Sequence, residues 1–136
     1  MPYQIVTDSS CNLTEALIDE LELEILPLTF MVDGVQHQSY LKGETTDLKQ
    51  FYTMMREGKV ITTSLPNLSN SEKLLTEILE SGKDILYLGF SSGLSGTYDS
   101  TETLSRNLRR RFPERTIECF DTLAASMGEG LLVYYA

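Results

Sequence analysis

Apolar positions along the chain follow two periods that alternate from the N-terminus onward. Short β-branched runs predict strands at Tyr3–Thr7, Glu24–Val32, Val60–Thr63, Ile85–Phe90 and Thr116–Phe120. Between them, apolar residues recur every three or four positions. Leu13, Ala16, Leu17 and Leu21 predict one helix, opened by Asn12 with Glu15 in a capping box. Leu48, Phe51, Tyr52 and Met55 predict a second, opened by Thr46 or Asp47 and ended by Gly58. Ser69 and Glu72 form another capping box before Leu75, Ile78 and Leu79, and Gly82 ends that helix. Thr101, Leu104, Leu108 and Phe112 share a face of a further helix closed by Pro113, and Asp121-Thr122 is expected to open the last one. Pro27 interrupts the second strand, which suits an edge, and Asp33-Gly34 signals a hairpin. The β-α alternation predicts a three-layer α/β/α domain around a mostly parallel sheet.

In such a sheet, ligands bind beyond the carboxyl ends of the strands. Four predicted strand ends carry hydroxyl clusters: Thr7-Asp8-Ser9-Ser10, Thr62-Thr63-Ser64, Ser91 to Thr97, and Asp121-Thr122. If the strands are parallel, these clusters meet at one edge. The stretch from Ser91 to Thr97 is the most informative. Gly93 and Gly96 permit close backbone approach, Ser92 and Ser95 add donors, and a helix start near Ser95 favours an anion.

Composition narrows the anion. No lysine follows Lys83, and neither a P-loop nor a dinucleotide fingerprint occurs, so a nucleotide phosphate fits poorly. A carboxylate can be held by hydroxyls and amides alone. A net charge of −9 argues against a nucleic-acid partner and against an anionic membrane surface. No apolar run is long enough to span a bilayer. One histidine and two separated cysteines do not form a usual zinc site, and no cofactor is expected. Cys11 and Cys119 suit reduced thiols. MPYQIVTDSS lacks a basic segment followed by an apolar run, so a cytoplasmic location is expected.

A second reading competes. Gly89-Phe90-Ser91-Ser92-Gly93 matches the G-x-S-x-G nucleophile elbow, with Ser91 as the nucleophile of a hydrolase. The histidine such a triad needs should follow the serine, whereas His37 precedes it. A third reading is an interaction module with no ligand, docking through Arg106, Arg109, Arg110 and Arg111. These arginines otherwise form a solvated helix end. Tyr40 and Tyr98 suit either a cavity wall or ordinary packing.

The motifs also resemble those of the DegV family over essentially the whole chain. Ile5-Val6-Thr7-Asp8-Ser9-Ser10-Cys11-Asn12-Leu13 is similar to its opening segment, as are Leu26-Pro27-Leu28 and Val32-Asp33-Gly34 to the next one. Thr62-Thr63-Ser64-Leu65-Pro66-Asn67 resembles its T-S loop, though Leu65 and Asn67 replace the common Gln and Ser. Ser91 to Tyr98 resembles its serine-rich signature, and Phe120-Asp121-Thr122 through Gly128-Glu129-Gly130 its closing stretch.

The resemblance implies a bacterial, non-enzymatic carrier of phospholipid metabolism. Such a carrier binds a long-chain fatty acid and presents it to a separate ATP-dependent fatty acid kinase subunit. The carboxylate-binding residues it implies are Thr63 and Ser92, with Ser64, Gly93 and Ser95 beside them. Family members are about twice this length, and GEGLLVYYA stops inside an apolar helical run. Residues 1–136 are therefore expected to be the first lobe of a longer protein, lacking a second lobe that supplies basic groups.

Overall fold

The computed structural model describes residues 2–44 and 47–136. Among the described residues, seven strands and five helices follow in the order β1 (Tyr3–Asp8), α1 (Glu15–Glu20), β2 (Glu24–Leu26), β3 (Thr29–Val32), β4 (Val35–Gln38), α2 (Leu48–Arg56), β5 (Ile61–Ser64), α3 (Leu68–Glu80), β6 (Asp84–Gly89), α4 (Thr97–Arg111), β7 (Ile117–Asp121) and α5 (Met127–Tyr135), with a 3-10 turn at Ser9–Cys11 after β1.

Four strands form a parallel sheet in the order β2-β1-β6-β7. Alternation along the central strands feeds two cores. Val6, Ile85 and Tyr87 face α3 and α4, where Leu75, Leu79, Leu104 and Leu108 complete one cluster. Leu88 and Ile25 turn to the opposite face, meeting Cys11, Ile18 and Val133. The helices thus lie on both sides of the sheet, as the α/β/α expectation required.

One correction concerns the other strands. β3, β4 and β5 form a separate antiparallel sheet in the order β4-β3-β5. Pro27 divides the predicted Glu24–Val32 strand in two. The first half stays at the edge of the parallel sheet and the second leaves it. Asp33 and Gly34 both take positive φ, 50° and 81°, the backbone of a tight hairpin turn between β3 and β4. Thr62-Thr63-Ser64 therefore does not lie at the end of a parallel strand. It pairs antiparallel with β3, Thr63 opposite Phe30 and Ser64 opposite Thr29.

Helix starts differ from expectation in three places. Asn12 adopts a left-handed backbone, φ 51°, ending the 3-10 turn, and Thr14 caps α1 instead. Ile18 is the residue α1 buries, while Ala16 is exposed. Asn67 caps α3, ahead of the expected Ser69. The last helix begins at Met127 because Asp121 uses its carboxylate on loop amides, those of Ser92 and Leu123 at 3.1 Å each. Asp47 caps α2 through the Gln50 amide, and the alternative opener Thr46 lies outside the described residues.

Candidate functional site

β1 ends at Asp8, which is wholly buried together with Thr7. One carboxylate oxygen of Asp8 accepts from the Tyr87 hydroxyl at 3.0 Å and the Phe90 amide at 2.8 Å. The other accepts from the amide and hydroxyl of Ser10. Opposite it sits Glu129 of α5, also wholly buried. Thr7 Oγ1 lies 3.1 Å from Glu129 Oε1 and 2.8 Å from the Leu88 carbonyl. Ser10 Oγ bridges Asp8 and Glu129, 3.2 Å from Glu129 Oε2. Each hydroxyl carries one hydrogen, so two hydroxyls cannot supply donors to all these acceptors. A carboxyl proton supplies a third donor. Burial, reinforced by the Asp8 carboxylate, pushes Glu129 up to about 9, so Glu129 holds that proton at neutral pH.

The pair fixes α5 against the turn after β1. Packing there is close: a Cβ on Gly130 would lie 2.6 Å from the Cys11 carbonyl and 2.9 Å from a Leu13 methyl. Ser9 is thereby held at the mouth of a cavity. Its hydroxyl accepts from the Leu28 amide at 2.9 Å and meets Ser39 Oγ at 2.5 Å. Thr29 Oγ1 pairs with Ser64 Oγ.

These links frame a cavity of about 260 Å³. Ser9, Ser10, Thr29, Ser39 and Thr63 give it a hydroxyl rim, and Leu28, Phe30, Phe51 and Tyr52 give it apolar walls. Ser9, Asn12, Ser39, Leu48 and Tyr52 continue into an adjoining cavity of about 370 Å³. Cys11, Leu13, Ile18 and Ile25 line that second space, together with the polar Thr14, Glu15 and Glu44. Burial pushes the Cys11 thiol up to about 11, so it is a neutral wall group. No lysine, arginine or histidine is among the described residues lining either space.

The expected site residues divide. Thr63 lies on the wall of the first cavity, whereas Ser64 turns to Thr29. Ser92, Gly93 and Ser95 lie on the turn between β6 and α4, outside both linings. The two loops are neighbours nonetheless, since a Cβ on Gly96 would lie 3.7 Å from the Leu65 methyls. Within the turn, hydroxyls serve the backbone. Ser91 is buried and accepts from the Gly93 amide at 3.2 Å; Ser95 Oγ accepts from the Thr97 amide at 3.1 Å. Gly96 occupies the N-cap of α4, next to Ser95, where the helix start was expected. Ser92 is exposed beside Asp121, whose carboxyl is held below its ordinary range by Ser92 and the adjoining amides.

Other candidates settle into structural roles. His37 is exposed on β4, stacked on Phe30 at 5.2 Å. Tyr98 stacks on Tyr87 in the core, and Tyr40 lines the second cavity. Arg106 and Arg109 pair with Glu102, and Arg111 with Glu72. Both cysteines are free. Among the described residues, no cluster of three or more His, Cys, Asp or Glu could hold a metal, and no helix is long and apolar enough to cross a membrane. Sequence reasoning missed Ser39 and Glu129. The signal for Glu129 was a lone acid inside the apolar run Met127–Tyr135.

Known proteins resemble the chain along its whole length. The family model described as "Uncharacterised protein, DegV family" matches residues 2–136. A DegV domain-containing protein of Clostridium perfringens is 37% identical over 98% of this chain and 46% of its own. A solved DegV family protein from Thermus thermophilus, described for its fatty acid binding, is 32% identical with a TM-score of 0.82, over 99% of this chain and 46% of that one. A Thermotoga maritima structure, described as revealing a fatty acid binding function, is 27% identical with a TM-score of 0.83, over 99% and 48%. The chain thus spans about half the length of the relatives it matches. By this match and the fold that accompanies it, the chain belongs to the DegV family.

Proposed function

We propose that this chain binds a long-chain fatty acid, holding the carboxylate at the hydroxyl rim and the acyl tail in the two adjoining cavities. One observation carries the reading: the hydroxyls of Ser9, Ser10, Thr29, Ser39 and Thr63 share a cavity with the apolar walls of Leu28, Phe30, Phe51 and Tyr52. Hydroxyls and amides suit a singly charged head group, and the apolar space suits its chain. Fatty acid binding described for the Thermus and Thermotoga relatives supports the same assignment.

Burying about fifteen methylenes at roughly 0.8 kcal/mol each offers on the order of 12 kcal/mol. Association and ordering costs offset much of that. Each hydrogen bond to the charged head adds about 1.5–3 kcal/mol. The tail therefore supplies most of the affinity, and the hydroxyls orient the head.

In the finer form of the reading, Thr63 and Ser92, with Ser64, Gly93 and Ser95, hold the carboxylate facing outward. A separate ATP-dependent kinase then converts it to an acyl phosphate. The remainder of the polypeptide, about half of each relative, contributes the cationic groups that neither cavity lining contains. Ser92 is free to serve both head group and partner because it is exposed. The hydrolase reading is weaker, since Ser91 is buried and bonded within its own turn.

Native mass spectrometry of the complete natural polypeptide, purified from cells, should show an added fatty acid mass. Ser92→Ala should lower affinity several-fold and acyl-phosphate formation considerably more. A protein that never carries lipid, even after incubation with fatty acid, contradicts the carrier reading. Normal phosphorylation of a Ser92→Ala protein contradicts only the role given to Ser92.

A further inference from the structure

Next to the second cavity lies a third space of about 170 Å³, bordered by Leu23, Pro27, Leu41 and Leu74 and by the polar Glu24, Gln38 and Lys42. Tyr40 and Ile25 belong to both linings, so these two side chains stand between the spaces. They are held differently. Ile25 is a buried strand residue of β2, 5% exposed, paired to β1 opposite Thr7. Tyr40 comes from the connection after β4 and rests against the cluster of Cys11, Ile18, Leu23 and Ile25. Its neighbour Ser39 is fixed at the mouth through Ser9, so the ring starts from an anchored backbone.

The Tyr40 hydroxyl is buried and has no hydrogen-bond partner. A buried hydroxyl without a partner costs stability. Ring bulk, not the polar tip, is therefore what this position contributes. The first cavity does not touch Tyr40, the second does, and the third lies past it.

We propose that Tyr40 is the stop that sets the length of the bound acyl chain: the methyl end abuts its ring, and the space beyond is closed to the ligand. The inference rests on the fatty acid reading above, and adds a residue that chooses among fatty acids. Removing the ring joins the second and third spaces. A single methylene more or less in an apolar pocket changes affinity by about tenfold or more, so the length preference should respond sharply.

The test is competition. The complete natural polypeptide is incubated with an equimolar ladder of saturated fatty acids, and bound lipid is quantified by mass spectrometry. Wild type should retain a narrow range of lengths. Tyr40→Leu and Tyr40→Ala should move the preferred acid longer, changing its ratio to the next longer homologue by about tenfold. Tyr40→Trp should move it shorter. Tyr40→Phe should leave the profile where it is, with stability unchanged or raised.

If the shortened side chains bind lipid with the wild-type profile, Tyr40 is not the stop. A Tyr40→Phe profile displaced as far as that of Tyr40→Ala overturns the inference too, because the hydroxyl would then be reading a polar group on the ligand. Should Tyr40→Ala fail to fold, the Leu and Trp variants decide. Absence of lipid from wild type is a different result, and counts against the carrier reading itself.

Discussion

The two sheets of this molecule are held by unlike means. The parallel sheet is covered on both faces, and its tip is finished by a buried acid pair. The antiparallel sheet and α2 have no comparable core. α2 buries no residue at all, and Leu48, Tyr52 and Met55 are each half exposed or more. Its hold on the hairpin is an edge contact between Phe51 and Phe30 with ring centroids at 5.5 Å. One side of the cavity is thus a frame, and the other is a wall whose apolar face lacks a complement. In the fatty acid reading, the acyl chain supplies that complement.

Equal truncations on the two sides should separate them most clearly. Leu79→Ala, in the packed cluster under α3, should cost about 2–5 kcal/mol in chemical denaturation. Leu48→Ala on α2, 60% exposed, should change stability by less than about 0.5 kcal/mol while weakening lipid binding. Similar losses from both would erase the contrast. Gly130→Ala should follow, at about 1–3 kcal/mol, since the added methyl meets the Cys11 carbonyl at 2.6 Å. Retained melting temperature there would mean that α5 is not tightly docked.

The acid pair gives the frame a pH signature. Glu129 is raised in the folded chain from 4.5 to about 9, so the folded state holds a proton that the unfolded state releases. Its contribution to stability is complete below pH 4.5, declines as pH rises, and is gone above about 9. The slope approaches about 1.4 kcal/mol per pH unit for one proton. Glu129→Gln should flatten this dependence in denaturation measured across that window. An unchanged slope would mean that Glu129 is not the proton holder. At the rim, Thr63→Ala should weaken fatty acid binding by about tenfold or more, the scale of one hydrogen bond to a charged group. Hydrogen exchange in α2 should slow when lipid is added, with little change in β1 and β6.

Much of the frame was legible in the sequence because it is built from periodic apolar residues. Leu75, Ile78 and Leu79 declared α3, and the apolar run in Asp84–Gly89 declared the central strand. The yielding wall was harder to read. Thr62, Thr63 and Ser64 are polar and short, and nothing in them distinguishes an antiparallel partner from a parallel neighbour. Pro27 reported a break but not that the chain changes sheet. At the candidate site, the hydroxyl clusters fare unequally. The cluster after β1 lines the first cavity through Ser9 and Ser10, while the serine-rich turn mainly supports its own backbone. Ser39 was invisible because its part depends on a contact with Ser9, thirty positions away.

The link from Asp8 through Ser10 to Glu129 also constrains the order in which this region forms. Glu129 lies 119 residues after Ser10, so this contact closes only after α5 has been synthesised. The turn that carries Ser9 and Ser10 therefore gains this anchor later than its bonds to Leu28 and Ser39.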